Sequence, residues 1–356
     1  MPRSPLDRAR LIAAYLRGKT HDIPGPSALM VETTVRCNLL CPMCPRTGAD
    51  YPNADLPDEL LWPLLESHAR LGGDHVYLYG LGEPLMDSRI WEIVGRCHAL
   101  GLGTVLSTNG TLLPAARRKE LLDAAPDHVL IGLDGATAAT YATYRVGGKF
   151  ERVVENVRAM AADKVARKGQ TALVVQFIRM RDNAHEVEAF RRQWRGVAGI
   201  DEVRVKEEDI GLPEHRTYAV DGASRRAPCH FPWRGAMLVR YTGDVFPCYH
   251  FGSVGTPIGN LRDTTLDALW DGPAMRRLRE LHAARRAGED AVCATCPAPR
   301  PTVPVVAAAM ALRGSTVRQL VPMAERLSQL LPGMLVERRT PPNEPPTNHT
   351  APQNAG

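Results

Sequence analysis

Short runs of β-branched and apolar residues alternate along this chain with longer segments whose apolar positions recur every three or four residues. The runs are "ALMVETT" (28 to 34), "HVYLY" (75 to 79), "GTVLS" (103 to 107), "HVLIGL" (128 to 133), "TALVVQFI" (171 to 178) and "EVRVK" (202 to 206). Helical spacing marks 57 to 70, 87 to 100, 114 to 124, 150 to 167 and 184 to 195. Strand then helix, repeated, predicts an α/β fold with a parallel sheet covered by helices. Six units are too few for a closed eight-stranded barrel, so the expectation is an open partial barrel with its reactive end at the strand C-termini.

The segments after the first four strands bear on that expectation. A loop with three cysteines follows the first strand, "GLGEP" (80 to 84) the second, "STNG" (107 to 110) the third and "LDG" (133 to 135) the fourth. All four would meet on one rim. Residues 1 to 27 read as an N-terminal extension, 28 to 210 as the barrel, and the polar, turn-rich stretch 211 to 228 as a linker. A small α+β unit is expected over 229 to 300, with a hairpin turning at Thr242, Gly243 and Asp244 and a helix near "LDALW". A helical extension is expected over 301 to 339, and a disordered tail over 340 to 356.

Composition adds little to this picture: 44% hydrophobic and 23% charged residues describe an ordinary globular chain. The net charge of +5 is small, and the basic clusters read as solvated helix faces, so no nucleic-acid partner is expected. "VPVVAAAMAL", the longest apolar run, is too short for a membrane span, and the N-terminus lacks a signal-peptide pattern. A cytoplasmic protein with no membrane partner is expected, and there clustered cysteines bind metal or do redox chemistry more often than they form disulfides.

Cys37, Cys41 and Cys44 give the spacing CxxxCxxC on one loop. Three thiolates do not close a zinc site, whereas a 4Fe-4S cluster held by three cysteines keeps one iron open. At these residues the chain resembles the radical S-adenosylmethionine (SAM) superfamily, over about 28 to 296. The resemblance implies that the three cysteines hold a cluster whose open iron is chelated by SAM. It also implies SAM contacts from Gly82, Glu83 and Pro84 of "GLGEP", and from Ser107, Asn109, Asp134 and Arg145 of the next two segments.

Cys229, Cys248, Cys293 and Cys296 resemble the SPASM extension in its shortened twitch form, which implies a second, fully ligated 4Fe-4S cluster. A zinc ribbon is the alternative for these four. Cys97 lies on a helix and reads as a core residue.

The family resemblance implies reductive cleavage of SAM, driven by an external one-electron reductant of flavodoxin or ferredoxin type, and hydrogen abstraction from a substrate C–H bond. The cysteine spacing is most similar to that of the aminocyclitol dehydrogenases of aminoglycoside biosynthesis. This implies oxidation of a secondary alcohol in a small polyhydroxylated, aminated substrate, with the auxiliary cluster accepting the electron. Glu207, Glu208 and Asp209 follow the sixth strand and could face a cationic substrate; Tyr249 and His250 neighbour a cluster cysteine, and no general base is assigned. The alternatives are a sugar epimerase, a peptide-modifying radical SAM enzyme and, more remotely, a zinc or electron-transfer module.

Overall fold

The computed structural model describes residues 3–209, 213–217, 228–298 and 301–311. Most of the expected 211–228 linker, the 312–339 part of the C-terminal extension and the 340–356 tail lie outside the described residues.

The chain opens with helix α1 (Pro5–Leu16). Ser4 caps it by accepting a hydrogen bond from the Asp7 N–H at 3.1 Å, and proline fills the first helical position. Then come β1 (Ala28–Val31), α2 (Asp58–Arg70), β2 (His75–Leu78), α3 (Ile90–Ala99), β3 (Gly103–Thr108), α4 (Ala115–Ala124) and β4 (His128–Gly132). Helices α5 (Ala138–Tyr144) and α6 (Phe150–Arg167), β5 (Ala172–Arg179), α7 (Val187–Trp194) and β6 (Glu202–Glu207) complete the barrel part. β1 to β6 pair in parallel in sequence order, as expected. Helices α1 and α5 are additions to the sequence-based prediction.

Side chains alternate across these strands. Leu29, Val31, Val76, Leu78, Leu106, Val129, Ile131, Leu173 and Val175 point outward and join the main core under the helices. The intervening positions Val105, Leu130 and Val174 point inward and form a separate apolar floor with Tyr77 and Tyr79. The barrel interior is thus filled low down and open above.

The second part holds α8 (Phe231–Arg234), β7 (Gly235–Val239), β8 (Asp244–Phe246), α9 (Tyr249–Val254), β9 (Gly259–Asn260), α10 (Leu266–Trp270), α11 (Pro273–Ala283), α12 (Ala291–Ala294) and α13 (Val303–Ala311). The expected hairpin forms as β7 and β8, but it is not an independent sheet. β7 pairs in parallel with β1, so one nine-stranded sheet runs β6-β5-β4-β3-β2-β1-β7-β8-β9. Val306 and Met310 of α13 pack on Leu11, Ala14 and Tyr15 of α1 together with Trp233. That contact lies at the N-terminal ends of the strands, away from the rim. No helix among the described residues is long and apolar enough to cross a membrane.

Candidate active site

The cysteine loop leaves β1 and is anchored before it reaches its first thiol. Arg36 Nε and Nη2 donate to the two oxygens of Asp55 at 3.0 and 2.7 Å, and Arg46 Nε donates to the Val35 carbonyl at 3.0 Å. Within the loop, Thr47 Oγ1 donates to the Cys41 carbonyl at 2.6 Å, and the Cys44 N–H donates to the same oxygen at 3.0 Å. The loop is therefore folded on itself, with Cys37, Cys41 and Cys44 facing a cavity of about 320 Å³.

The segment after β2 holds the base of this loop. Glu83 N–H donates to the Arg36 carbonyl at 2.8 Å. A Cβ on Gly82 would stand 2.0 Å from the Thr34 carbonyl oxygen, so only glycine permits the approach. The Glu83 carboxylate is wholly buried and accepts from Thr108 Oγ1 at 2.8 Å, Asn109 N–H at 2.7 Å and Leu85 N–H at 3.1 Å. It ties the β2 segment to the β3 segment. Burial raises its pKa against the pull of those three donors.

Of the residues marked for SAM contact, Gly82, Glu83, Ser107, Asn109 and Arg145 line the cavity. Pro84 and Asp134 do not. Pro84 is buried and opens the 3-10 turn Pro84–Met86. Asp134 is wholly buried behind Arg145; it accepts from Arg145 Nη2 at 2.5 Å and from the Ile178 N–H at 2.7 Å. A Cβ on Gly132 would meet Arg145 Nη2 at 2.3 Å, so glycine clears the path of the guanidinium across β4. Burial opposes the Arg145 charge, but the Asp134 carboxylate reverses this and its pKa is raised. It stays a cation beside the cysteine loop.

Sequence reasoning missed Asn38. Its side chain accepts from Asn109 Nδ2 at 3.0 Å and donates to Thr111 Oγ1 at 2.8 Å, which stitches the cysteine loop to the β3 segment. The signal available was its place inside the CxxxCxxC loop.

The far wall of the cavity comes from the end of β6 and the start of α9: Lys206, Glu208, Asp209 and Tyr249. Asp209 accepts from Lys206 Nζ at 2.8 Å and from the Tyr249 hydroxyl at 3.4 Å. Glu208 pairs with Arg216 at 3.0 Å. Glu207 turns away to Arg179 and Thr217, and His250 is buried and does not line the cavity. Tyr249 directly follows Cys248, so this wall separates the cysteine loop from the second set of thiols.

Those thiols come from three separate segments. Cys229 precedes α8, Cys248 lies between β8 and α9, Cys293 is in α12 and Cys296 follows it. Burial lifts the Cys248 thiol to about 12, with Cys229 and Cys296 adding to the shift; burial also raises Cys293, with Cys229, Cys248 and Cys296 contributing. The four are close enough to sense one another. Asp290 accepts from the Cys293 N–H at 2.9 Å and so positions α12. His282, another residue missed in the sequence, accepts from the Cys229 N–H at Nδ1 (3.3 Å). This places its proton on Nε2, which faces Cys293 Sγ at 3.5 Å.

The donor chemistry fits iron-sulfur clusters at both places: soft thiols alone, three beside an open cavity and four half-buried ones brought together from three segments. Burial raises Cys37 and Cys41 and lifts Cys44 to about 11, so all three are neutral until a cluster takes their protons. Among the described residues, no three His, Cys, Asp or Glu side chains close around a point that a single metal ion would fill. Cys97, by contrast, is wholly buried in the main core.

A sequence profile of the Radical SAM superfamily matches residues 31–176, and one of the SPASM iron-sulfur cluster-binding domain matches 229–297. The PqqA peptide cyclase of Methylobacterium sp. (strain 4-46) is 29% identical over 300 residues, covering 73% of this chain and 77% of that protein. The PqqA peptide cyclase of Gluconobacter oxydans (strain 621H) is 28% identical over 282 residues, covering 69% and 76%. Among solved structures, SuiB of Streptococcus suis bound to precursor peptide SuiA superposes with a TM-score of 0.59 at 16% identity, over 77% of this chain and 71% of that one. BtrN in complex with AdoMet and 2-DOIA gives 0.51 at 16% identity, over 77% and 93%. At such identities the structural likeness speaks for the fold alone. A radical SAM domain joined to a SPASM domain implies SAM and two 4Fe-4S clusters as cofactors.

Proposed function

We propose that the chain, which carries a radical SAM domain and a SPASM domain, is a radical SAM enzyme that crosslinks a peptide by removing two hydrogens from it. The observation that carries this reading is the similarity to PqqA peptide cyclases across about 300 residues, a span longer than the radical SAM match of residues 31–176 alone. The aminocyclitol dehydrogenase expected from cysteine spacing gives way to it, because the likeness to the peptide cyclases extends well beyond the auxiliary cysteines.

When bound, the two clusters and SAM supply hydrogen-atom abstraction from an unactivated C–H bond and a sink for the electron left on the substrate. The residues of the chain supply position and charge. In this reading Cys37, Cys41 and Cys44 hold the open cluster, and Cys229, Cys248, Cys293 and Cys296 hold the closed one. Arg145, fixed by Asp134, offsets thiolate charge at Cys41. Gly82, Glu83, Ser107 and Asn109 shape the SAM side of the cavity, with Pro84 and Asp134 supporting them from behind. Crosslinking removes one hydrogen as an atom and the second as a proton plus an electron. The Asp209 carboxylate is the group on the cavity wall placed to take that proton, since Lys206 and Tyr249 hold it facing the cavity beside Cys248. An external one-electron reductant of flavodoxin or ferredoxin type completes the scheme.

A second reading, the dehydrogenase, keeps one observation in its favour: Glu208 and Asp209 place carboxylates on the cavity wall, where a cationic sugar-like substrate would want them. One experiment decides between them. The reconstituted, reduced enzyme is given SAM with short peptides encoded beside its gene, and separately with a panel of aminocyclitols. A peptide lighter by two hydrogens, formed in step with 5′-deoxyadenosine, is the expected result. The same loss on an aminocyclitol, with every peptide unchanged, would overturn it.

A further inference from the structure

A second cavity, of about 770 Å³, is not at the rim. It lies between one face of α1, the 19–24 segment and the end of α2, where the chain enters β1 and β2. The active site opens at the other end of the same strands. Nothing in the chemistry proposed above uses this second cavity.

Its lining is cationic. Arg3, Arg10, Arg17, Lys19 and Arg70 face two carboxylates, Asp7 and Asp22. Both carboxylates are already engaged: Asp7 accepts from Ser4 Oγ at 2.7 Å and pairs with Arg10 at 3.5 Å, and Asp22 pairs with Lys19 at 2.9 Å. Among the described residues, no hydrogen bond or ion pair engages the side chains of Arg17 and Arg70. Arg3 is only 5% exposed; Nε donates to the Gly72 carbonyl at 3.1 Å and Nη2 to the Gly25 carbonyl at 2.5 Å, while Nη1 has no partner. Burial makes the Arg3 charge costly; Asp74 offsets this in part and Arg8 adds repulsion, so its pKa is lowered. A buried, incompletely bonded guanidinium at the edge of a cationic cavity is a poor arrangement in the absence of an anion.

Spacing narrows the anion. Positions 3, 7, 10, 14 and 17 share one face of the α1 segment. Arg10 and Arg17, seven residues apart, stand about 10 Å apart along the helix axis. In a peptide in the polyproline II conformation, with three residues per turn, carboxylates three residues apart lie on one face and about 9 Å apart. We propose that this cavity binds an acidic segment of the peptide substrate, with carboxylates at every third position laid along α1 and against Arg70. The peptide identity of the occupant rests on the function proposed above; the charge and spacing do not.

The test uses the full-length reconstituted enzyme and a fluorescein-labelled twelve-residue peptide with Glu at every third position, read by fluorescence anisotropy. The comparator peptide carries Gln at those positions. The Glu peptide is expected to bind, to weaken as salt rises, and to lose at least tenfold in affinity in the Arg17→Glu/Arg70→Glu variant. Both residues are exposed, so that variant should keep its melting temperature and its basal SAM cleavage. Arg3→Met adds a second check, with its fold verified separately. Equal binding of the Gln peptide, or unchanged affinity in the double variant, would sink the proposal; so would displacement of the Glu peptide by equimolar inorganic phosphate, which would mark a small-anion site. Charge-dependent binding of the Glu peptide, with an aminocyclitol dehydrogenated and every peptide unmodified, would keep the cavity as an acidic-peptide site but remove both the peptide-crosslinking reading and the substrate identity of its occupant. Modification without such binding would do the reverse.

Discussion

Both ends of the parallel sheet bury charge, but they use it differently. At the C-terminal ends of β1 to β6, Glu83 and Asp134 are wholly buried and spend their oxygens on groups that themselves reach the cavity, Asn109 and Arg145. At the N-terminal ends the buried charge closes the structure instead. Arg8 pairs with Asp74 at 2.5 Å, and wholly buried Arg279 donates to the carbonyls of Thr20, Trp270 and Pro232 at 3.0, 2.7 and 2.8 Å. The guanidinium also lies 4.6 Å from the Trp270 ring. One end uses buried polar groups to aim side chains into space; the other uses them to join segments far apart in sequence.

If this contrast is right, variants at the two ends should separate chemistry from stability. The largest effect is expected for Cys41→Ala, which should lower bound iron from about eight to about four per chain and abolish SAM cleavage. Cys248→Ala should lose the same amount of iron while SAM cleavage without substrate persists, and electron paramagnetic resonance should tell the two remaining clusters apart. At the other end, Arg279→Met should cost about 3–5 kcal/mol by leaving carbonyls unpaired. Denaturant unfolding measures that loss, and the SAM affinity of the folded fraction should not move.

His68 gives the next effect. It is wholly buried in α2, donates to the His75 carbonyl at 3.2 Å, and burial lowers its pKa from 6.5 to about 4. The folded state therefore holds it neutral, and its contribution to stability is fully present above pH 6.5. As pH falls from 6.5 towards 4, the unfolded chain gains the proton first and about 3 kcal/mol is lost. His68→Gln should flatten that part of the stability profile and leave the rim untouched. The smallest effect belongs to the rim: Ser107→Ala, on the cavity wall, should weaken SAM binding about fivefold, about 1 kcal/mol, with little change in melting temperature. A large melting shift there would break the comparison.

Six strands, most of the covering helices and the convergence of four segments on one rim were legible in the sequence, because each rests on local periodicity and on motifs next to strand ends. The roles of particular residues were less so. Asp134 read as a SAM contact but stands behind Arg145, and Glu83 joins two segments; motif position marks a neighbourhood and leaves the direction of a side chain open. Asn38 and His282 were missed because their partners, Asn109 and the Cys229 N–H, lie 71 and 53 residues away. The parallel pairing of β7 with β1 was hidden for the same reason: no local pattern in "GAMLV" distinguishes a hairpin strand standing alone from one that extends an existing sheet.

That pairing reaches beyond architecture. β1 launches the loop of Cys37, Cys41 and Cys44, while β7 and β8 lead to Cys248, and β1 and β7 are locked in register from Leu29 opposite Met237 to Val31 opposite Val239. Clusters held by those cysteines, as proposed above, would be mounted on adjacent strands of one sheet. The distance an electron must tunnel between them would then be a fixed dimension of the protein, whatever substrate lies in the cavity.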